Sequence, residues 1–226
     1  MVEGTGTRDL SDWAPRPMPD GRPLAGRFVR LERLDPARHG ADLARTTAAP
    51  AALYDFLFEP PPADPAEVVG WVAQAAASLD PFFYAVVDQA SGEAVGRLAL
   101  MRIDAKNGVI EVGSILFGPR LQRTAGATEA IALIAGHVFD DLGYRRLEWK
   151  CNDRNLPSKQ AALRFGFSYE GLFRQHMVVK GENRDTAWFA MLDQEWPRRK
   201  RAFAAWLDVA NFDADGRQRR RLEEFR

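Results

Sequence analysis

The sequence predicts one α/β (α+β) domain in which a mixed, mostly antiparallel central sheet carries helices on both faces. Three observations support this fold class. Residues 82–117 contain three successive runs with the period-two alternation that is typical of strands. Runs with the period of a helix lie before and after them. The second and third strand runs are separated by Lys106-Asn107-Gly108, and Asn-Gly is a hairpin signal that makes those strands antiparallel neighbours.

The order of the elements follows from the same patterns. Residues 1–24 are rich in Gly, Pro and Asp and predict an extended arm, which Trp13 is expected to hold against the domain. The elements predicted after the arm are, in order, a strand at 27–34, a helix from 36, a short helix at 51–58, a helix at 66–79, strands at 82–88, 93–104 and 108–117, a helix from 128 to 142, a strand at 145–151, a helix at 157–165, strands at 167–181 and 183–193 that form a hairpin, and a helix at 195–208.

Two helix ends carry recognisable capping residues. Asp35 and Pro36 have the residue types of an N-cap and a first helical position, so a helix is expected to begin there. Gly143 follows the apolar stripe of the helix after residue 128 and is the expected C-terminal cap. We therefore expect one domain between an arm at 1–24 and a helix and tail at 197–226.

The bulk composition excludes several classes of protein. Lys plus Arg and Asp plus Glu number 31 each in 226 residues, which does not match the basic footprint of a general nucleic-acid binder. The basic runs at 197–201 and 217–221 are expected to be solvated surface. No apolar run approaches the roughly 20 residues that span a bilayer, and the N-terminus lacks the order of a signal peptide. We expect a cytoplasmic protein without a membrane partner.

The cysteine and the histidines predict neither a disulfide nor a metal site. A single cysteine, Cys151, excludes an intramolecular disulfide and fits a reducing compartment. Its alternation with Leu147 and Trp149 predicts a buried strand residue. The three histidines lack the spacing of zinc ligands. His137 is expected to be exposed on the polar side of its helix.

The segment LFGPRLQRTAGATEAIALI, residues 116–134, places almost no side-chain bulk at the mouth of a helix. The first amides of a helix are unpaired and lie at the positive end of its dipole, so small residues there admit an anion such as a diphosphate. The amides from Arg123 to Thr128 are the predicted donors, and Arg123 adds a full charge. The alternative is that the small residues only pack the helix start against a strand. Neither a P-loop nor a Rossmann pattern is present.

Two motifs together resemble the GNAT superfamily of N-acetyltransferases, and within it the RimJ/RimL-like branch. The first is the loop that starts at Gln122 and ends at Ala127, with Ala125 in place of the family's middle glycine. The second is Asn155, Ser158 and Gly166-Phe167, at the spacing of the branch. The resemblance covers residues 27–195 and implies that residues 25–196 form the acetyltransferase domain.

The resemblance also implies acetyl-CoA as the co-substrate. Its pyrophosphate is expected at the helix mouth, and its pantetheine arm is expected to pair with the backbone of Leu116 and Phe117 like an extra strand. Asn155 is expected to bond the same arm from the other side. The predicted acetyl-CoA-binding residues are thus Leu116, Phe117, Gln122, Arg123, Thr124, Ala125, Gly126, Ala127, Thr128, Asn155 and Ser158.

Acetyl transfer to an amine requires a deprotonated amine, a stabilised oxyanion and a protonated leaving sulfur, and an amine that is already neutral needs no dedicated base. Glu111 is the predicted base, on one strand face with Gly113 and Ile115; the alternative is an exposed residue in a cross-strand pair. A backbone N–H near Leu116 is the predicted oxyanion donor. Many family members carry a sulfur-bonding tyrosine where this chain has Ala162. That leaves Ser158 as donor or water relay, unless it only caps its helix.

The acceptor pocket is expected opposite the coenzyme. Its predicted lining is Tyr84, Met101, Arg174, His176 and Trp188. Arg174 and His176 are expected on one strand face, either as a pair for a carboxylate or carbonyl or as a surface pair. The acceptor is a protein N-terminal amine or a small-molecule amine. A catalytically inactive coenzyme A-binding sensor or scaffold is the alternative function, and Phe203 and Trp206 suggest a homodimer seam.

Overall fold

A computed structural model describes residues 8–48 and 51–226 and contains one eight-stranded sheet. The strands are β1 (Leu24–Ala25), β2 (Val29–Arg33), β3 (Phe82–Asp88), β4 (Ala94–Asp104), β5 (Val109–Phe117), β6 (Arg146–Asn152), β7 (Ser168–Val179) and β8 (Glu182–Leu192). Their order across the sheet is β1-β2-β3-β4-β5-β6-β8-β7. Only the β5–β6 pair is parallel among the described strands. The predicted fold class is confirmed.

Five α-helices cover the two faces of the sheet: α1 (Pro36–Thr47), α2 (Pro65–Ala77), α3 (Ala125–Gly136), α4 (Leu156–Phe165) and α5 (Trp196–Leu207). Helices α1 and α2 pack on one face, over a core that includes Leu43, Val72 and Phe83. Helices α3, α4 and α5 pack on the other face over a larger core. None of the described helices combines the length and apolar character needed to cross a bilayer.

The first helix starts where the capping residues predict. The Asp35 carboxylate accepts a hydrogen bond from the Arg38 amide, and Pro36 is the first helical residue. The predicted helix at 51–58 is smaller than expected, since only one 3₁₀ turn forms at Ala51–Tyr54. Residues 51–62, which continue from that turn into a proline-rich stretch, are called the cover segment below.

The described part of the arm is held against the domain. The Trp13 indole donates to the Lys106 carbonyl at 2.8 Å, as expected for a residue that pins the arm. Gly108 has a φ of +65°, and a Cβ at this position would lie 2.4 Å from the Trp13 ring, so only glycine fits there. The arm also contributes a strand that the sequence analysis missed, because β1 is only two residues long. Residues 1–7 lie outside the described residues.

Helix α3 differs from its prediction at both ends. It begins at Ala125 rather than near Thr128, and its regular part ends at Gly136 in a π-helical turn over His137–Asp141. Gly143 has a φ of +71° and does lie at the end of this turn. The prediction that His137 is exposed is wrong. Its ring is buried, and Nδ1 lies 3.0 Å from a carboxylate oxygen of Asp141.

The C-terminal helix packs against its own domain. Phe203 and Trp206 are both buried in the larger core, where Phe203 contacts Phe165 and Trp206 contacts Phe212. They are therefore unavailable as a homodimer seam, contrary to the expectation. The amphipathic pattern of this helix was interpreted as an exposed apolar face, whereas the chain itself covers that face.

Candidate active site

Strands β5 and β6 diverge and leave a crevice in the middle of the sheet. Their parallel pairing covers only Val109–Glu111 against Arg146–Glu148. Beyond that point β6 pairs with β8 alone among the described strands, while residues 112–117 of β5 pair only with β4. An open strand edge has unpaired backbone N–H and C=O groups, so this crevice can receive an extended ligand.

A β-bulge redirects β5 along the crevice. Ser114 has a φ of +48°, and the register with β4 shifts between the Ala99–Gly113 and Arg97–Leu116 pairs. The extra residue turns Ile115 toward the larger core, on the face opposite to Glu111 and Gly113. The expectation that Glu111, Gly113 and Ile115 share one face is therefore wrong for Ile115. Period-two alternation fails wherever a bulge inserts a residue.

Arg97 holds the bulge in place. Its Nη1 donates to the Ser114 carbonyl at 2.9 Å and to the Ser114 hydroxyl at 2.6 Å, and Nη2 pairs with Glu59 of the cover segment. The guanidinium also lies 3.8 Å from the centre of the Trp71 ring. Arg97 is only 2% exposed. One buried cation thus connects the strained strand to the segment above it.

The open edge of β5 presents the backbone of Phe117 rather than that of Leu116. The Gly118 amide donates to the Val95 carbonyl, and hydrogen-bonded pairs alternate along an antiparallel ladder. Leu116 therefore turns its backbone groups toward Arg97, and Phe117 turns its own toward the crevice. Gln122 Nε2 donates to the Phe117 carbonyl at 2.9 Å. For the oxyanion donor predicted near Leu116, the N–H of the adjacent Phe117 is consequently the better placed group.

The start of α3 has fewer open amides than the sequence suggests. Thr124 is the N-cap, and its hydroxyl accepts from the Ala127 amide at 3.2 Å. The Thr124 amide donates to the Leu121 carbonyl. Within the described chain, the amides of Arg123, Ala125 and Gly126 have no hydrogen-bond acceptor. In the predicted donor run from Arg123 to Thr128, the amides of Thr124 and Ala127 are thus already engaged by the chain itself.

Packing also explains the small residues at this helix start. A Cβ on Gly126 would lie 3.0 Å from Val29 Cγ1 and 3.3 Å from Leu121 Cδ1, so the glycine lets α3 pack closely against β2. Ala125 has no positive φ; that backbone conformation occurs at Arg123, with a φ of +61°. The packing interpretation and the anion interpretation therefore both apply to this segment.

Glu111 lies at the point where the two strands separate. It is 3% exposed, so the alternative of an exposed strand residue is wrong. Its Oε2 accepts from Arg102 Nη1 at 2.8 Å and lies 3.0 Å from Lys150 Nζ. Met101 of β4, which is predicted to line the acceptor pocket, lies directly opposite Glu111 in the antiparallel pair of β4 and β5. Two cations thus pair with this carboxylate at the point where the crevice opens.

Lys150 extends the ion cluster to β6. Its ammonium also pairs with Glu148 at 2.6 Å and lies 3.8 Å from the centre of the Trp188 ring. Burial on its own would raise the pKa of Glu148, but ion pairs with Lys150 and Arg146 outweigh burial and hold that pKa below its usual value. The sequence analysis missed Lys150, although its position one residue after Trp149 on the same strand places it on the crevice face.

Helix α4 brings the second motif to the far wall of the crevice. Asn155 Oδ1 accepts from the Ser158 amide at 3.0 Å, so Asn155, not Ser158, is the N-cap. The Ser158 hydroxyl accepts from the Trp149 indole at 3.0 Å. The same hydroxyl also makes a side-chain hydrogen bond with the Cys151 thiol. The buried Cys151 lies beside it, and burial raises the pKa of that thiol.

The predicted acceptor residues separate into two groups. Tyr84 is fully buried in the larger core on the opposite face, so it lines no cleft. Gln175 has a φ of +50° and lies in a second irregularity, between Phe173 and Met177 of β7. Arg174 consequently lies beside Asn183 and Asp185, in a shallow surface depression. The expectation that Arg174 and His176 share one face is wrong.

His176 and Trp188 are on the crevice face. His176 Nδ1 lies 3.0 Å from the Thr186 hydroxyl, and its ring contacts Phe173 and Trp188. Burial, followed by the nearby cations Arg102 and Arg184, lowers the pKa of His176. Beneath the cover segment there is also an apolar cavity of about 150 Å³, lined in part by Tyr54, Trp71 and Leu116. No cluster of three metal-ligating side chains occurs among residues 8–48 and 51–226.

The chain belongs to the GNAT acetyltransferases, because residues 29–168 match the family model described as acetyltransferase (GNAT) domain. It is 53% identical to a GCN5-related N-acetyltransferase from Brucella melitensis, whose crystal structure superposes with a TM-score of 0.93 over 96% of this chain and 99% of that one. The uncharacterized N-acetyltransferase p20 of Bacillus licheniformis is 28% identical over 113 residues, which are 50% of this chain and 63% of that protein. The chain thus spans less than two thirds of p20.

A similarity of fold extends to RimL, a ribosomal L7/L12 alpha-N-protein acetyltransferase solved in complex with coenzyme A, with a TM-score of 0.65 and 20% identity. The predicted family and enzyme class are confirmed, and GNAT acetyltransferases use acetyl-CoA. The crevice fits that molecule. Three open amides at a helix start suit a diphosphate, and the unpaired edge of β5 suits an extended arm that contains amides.

Proposed function

We propose that this protein is an acetyl-CoA-dependent N-acetyltransferase that acts on a primary amine by direct attack on the thioester. One observation carries the proposal. The strand divergence brings the open helix start, the open edge of β5 and the buried carboxylate of Glu111 to a single crevice. A donor that lies along β5 would present its acetyl group between the bulge and Glu111.

On the donor side, the residues have distinct roles. The amides of Ala125 and Gly126, with the Arg123 amide and side chain, would hold the pyrophosphate. Thr124, Ala127 and Thr128 shape this helix start, since Thr124 caps it and the Thr128 hydroxyl accepts from Arg164. The Phe117 N–H would bond the pantetheine arm or the developing oxyanion, and Gln122 orients that peptide. Leu116 contributes its side chain, and Asn155 its amide, to the crevice walls.

In the reaction, acetyl-CoA supplies a thioester whose carbonyl carbon forms a bond to the amine nitrogen as the bond to sulfur breaks. Glu111 would take the proton that the amine must lose, directly or through water. Arg102 and Lys150 would disperse the charge around this base. Ser158 would donate its hydroxyl proton toward the sulfur, because its oxygen already accepts a hydrogen bond from the Trp149 indole.

The acceptor is a protein N-terminal amine or a small-molecule amine that enters from the side of the cover segment. The cavity beneath this segment and the aromatic rings of Phe173 and Trp188 offer apolar contact to its side chain. A single buried cysteine without a disulfide supports a cytoplasmic location.

The test combines purified protein, acetyl-CoA and a panel of amines that includes short peptides beginning with Ala, Ser or Met. Release of free thiol that depends on the amine is the expected result. Acetyl-CoA binding is measured separately by calorimetry. Binding without thiol release from any amine would contradict the proposal and would favour a coenzyme A-binding sensor or scaffold.

A further inference from the structure

Arg184 on β8 is a buried cation without a counter-ion. The residue is 7% exposed, and its Nε is fully buried without a hydrogen-bond acceptor. No carboxylate pairs with Arg184 anywhere in the described residues. The guanidinium carbon of Arg184 lies 5.0 Å from the centre of the Phe58 ring in the cover segment. Burial lowers the pKa of Arg184, as expected when a cation is removed from water.

Three other cations on this face of the sheet are paired with carboxylates. Arg97 has Glu59, Arg102 has Glu111, and Lys150 has both Glu111 and Glu148. Burying a charge without a partner costs several kcal/mol by general estimates, so proteins pair such groups unless a ligand does so. The lack of a partner at Arg184 is thus specific to its position and is not a property of this face.

The surroundings of Arg184 point to the acceptor side of the crevice. Alternation along β8 places Arg184, Thr186 and Trp188 on one face, and Trp188 lies against Lys150. The Trp188 indole N–H is also buried without an acceptor. Two unsatisfied donors, one of them charged, therefore lie on the strand that forms the acceptor wall.

We propose that Arg184 binds a carboxylate of the acceptor, so that the substrates are amines that carry a carboxylate near the reacting nitrogen. This inference rests on the proposed function, because it concerns the substrate of the same crevice. Guanidinium and carboxylate form paired, charge-assisted hydrogen bonds, and the Trp188 indole can donate to the same group. The role predicted for Arg174 falls to Arg184, because the irregularity at Gln175 turns Arg174 away.

The carboxylate could be the α-carboxylate of a free amino acid or a side-chain carboxylate of a peptide, and two pairs of matched acceptors distinguish these sources. The first pair is a free amino acid and its amide; the second is Ser-Asp-amide and Ser-Asn-amide. Each is assayed with the wild type, Arg184→Met, Arg184→Lys and the surface control Arg174→Met. Comparing variant with wild type for one acceptor cancels the difference in amine pKa between acceptors.

We expect Arg184→Met to lower kcat/KM about ten- to a hundred-fold for the carboxylated member of one pair and less than three-fold for its neutral partner. Arg184→Lys should recover part of the loss, and Arg174→Met should change neither. The pair that responds identifies the source of the carboxylate. Equal effects of Arg184→Met on both members of both pairs would overturn the inference.

Melting temperatures provide controls for folding and for ligand binding that do not depend on catalysis. Arg184→Met should melt at the wild-type temperature or higher, because it removes an unpaired buried charge. An N-acetylated amino acid or N-acetylated Ser-Asp-amide should raise the melting temperature of the wild type but not of Arg184→Met. If neither compound does so, carboxylate recognition is refuted. If one does while no amine is acetylated, the proposed function fails and the recognition stands.

Discussion

The two sides of the crevice are built in different ways. Most of the donor side is one continuous segment, residues 114–128, which offers backbone amides at a strand edge and a helix start, and the start of α4 faces it with Asn155 and Ser158. The acceptor side assembles side chains from six separate places, namely the cover segment, β4, β5, β6, β7 and β8. A diphosphate is bound by groups that every residue has, whereas an acceptor is bound by particular side chains. The difference explains how the donor can be recognised from a motif while the acceptor is not.

Two buried arginines, Arg97 on the donor side and Arg184 on the acceptor side, differ in the same way. Both are buried on the same face, and both contact an aromatic ring of the neighbouring layer. Arg97 has a carboxylate and a backbone carbonyl as partners, while Arg184 has neither within the described part of the chain. The paired arginine maintains the structure of the donor side. The unpaired arginine is left for a ligand on the acceptor side.

The largest expected effect is on Arg97. Arg97→Met should lower the free energy of unfolding by about 3 kcal/mol, because Glu59 and the Ser114 bulge lose the partner that holds them. Activity should fall as well. Denaturant titration compares this variant with Arg184→Met, for which no loss of stability is expected. Similar losses in the two variants would remove the contrast between the paired and the unpaired arginine.

Glu111 tests the chemistry of the acceptor side. Glu111→Gln should lower kcat/KM about 100-fold near pH 7, since proton removal by a positioned base contributes about that much. The deficit should shrink as the pH rises, because the acceptor amine then enters the crevice already neutral. Values of kcat/KM for the wild type and for Glu111→Gln, determined from pH 6 to 10, measure this deficit. A deficit that stays constant with pH would assign Glu111 a structural role only.

Arg123 tests the donor side. Arg123→Glu should weaken acetyl-CoA binding about ten-fold at low salt, because a negative charge then lies beside the phosphates, and the effect should diminish as salt screens it. The matched control is Arg120→Glu, a charge reversal three residues earlier at a side chain paired with Glu93. Calorimetry measures both. Equal effects of the two variants would exclude a local role for Arg123.

The smallest effect concerns the pH dependence of stability at Glu148. Its pKa is held below the usual value in the folded protein, so its stabilising contribution is present above the unfolded pKa near 4.5 and is lost as the pH falls through the lower folded value. Glu148→Gln should therefore cost roughly 0.5–1 kcal/mol at pH 7 and close to nothing at pH 3. A cost that does not change between these pH values would contradict the assignment.

Local patterns predicted most of the elements and the donor side. Asp35, Gly108 and Gly143 act through their own backbone neighbourhood, and each lies where its residue type indicated. The family resemblance is carried by two motifs, at residues 122–127 and 155–167, and the residues within each motif are close in sequence. These features depend on contacts a few residues apart, so a single sequence contains enough information to locate them.

The errors have a common physical origin in insertions and long-range packing. Bulges at Ser114 and near Gln175 change the face of the sheet on which the neighbouring side chains lie. Strict alternation therefore places Ile115 and Arg174 on the wrong face. Tyr84, His137 and Phe203 were assigned from the pattern of one element, while their burial depends on elements distant in the chain. No local signal reports either effect.

The sequence alone determined the order of strands and helices along the chain and the segment that is suited to a phosphate-bearing donor, because those properties follow from residue periodicity and backbone capping. The family was indicated by the resemblance of two short motifs to those of the GNAT superfamily. Only the tertiary structure decided which amides stay open, that Lys150 and Arg102 flank Glu111, and that Arg184 is buried without a carboxylate. The reason is that an ion pair depends on the distance between two side chains in the folded protein and not on their separation in sequence. Whether a buried cation has a partner depends on side chains that folding brings from distant parts of the chain.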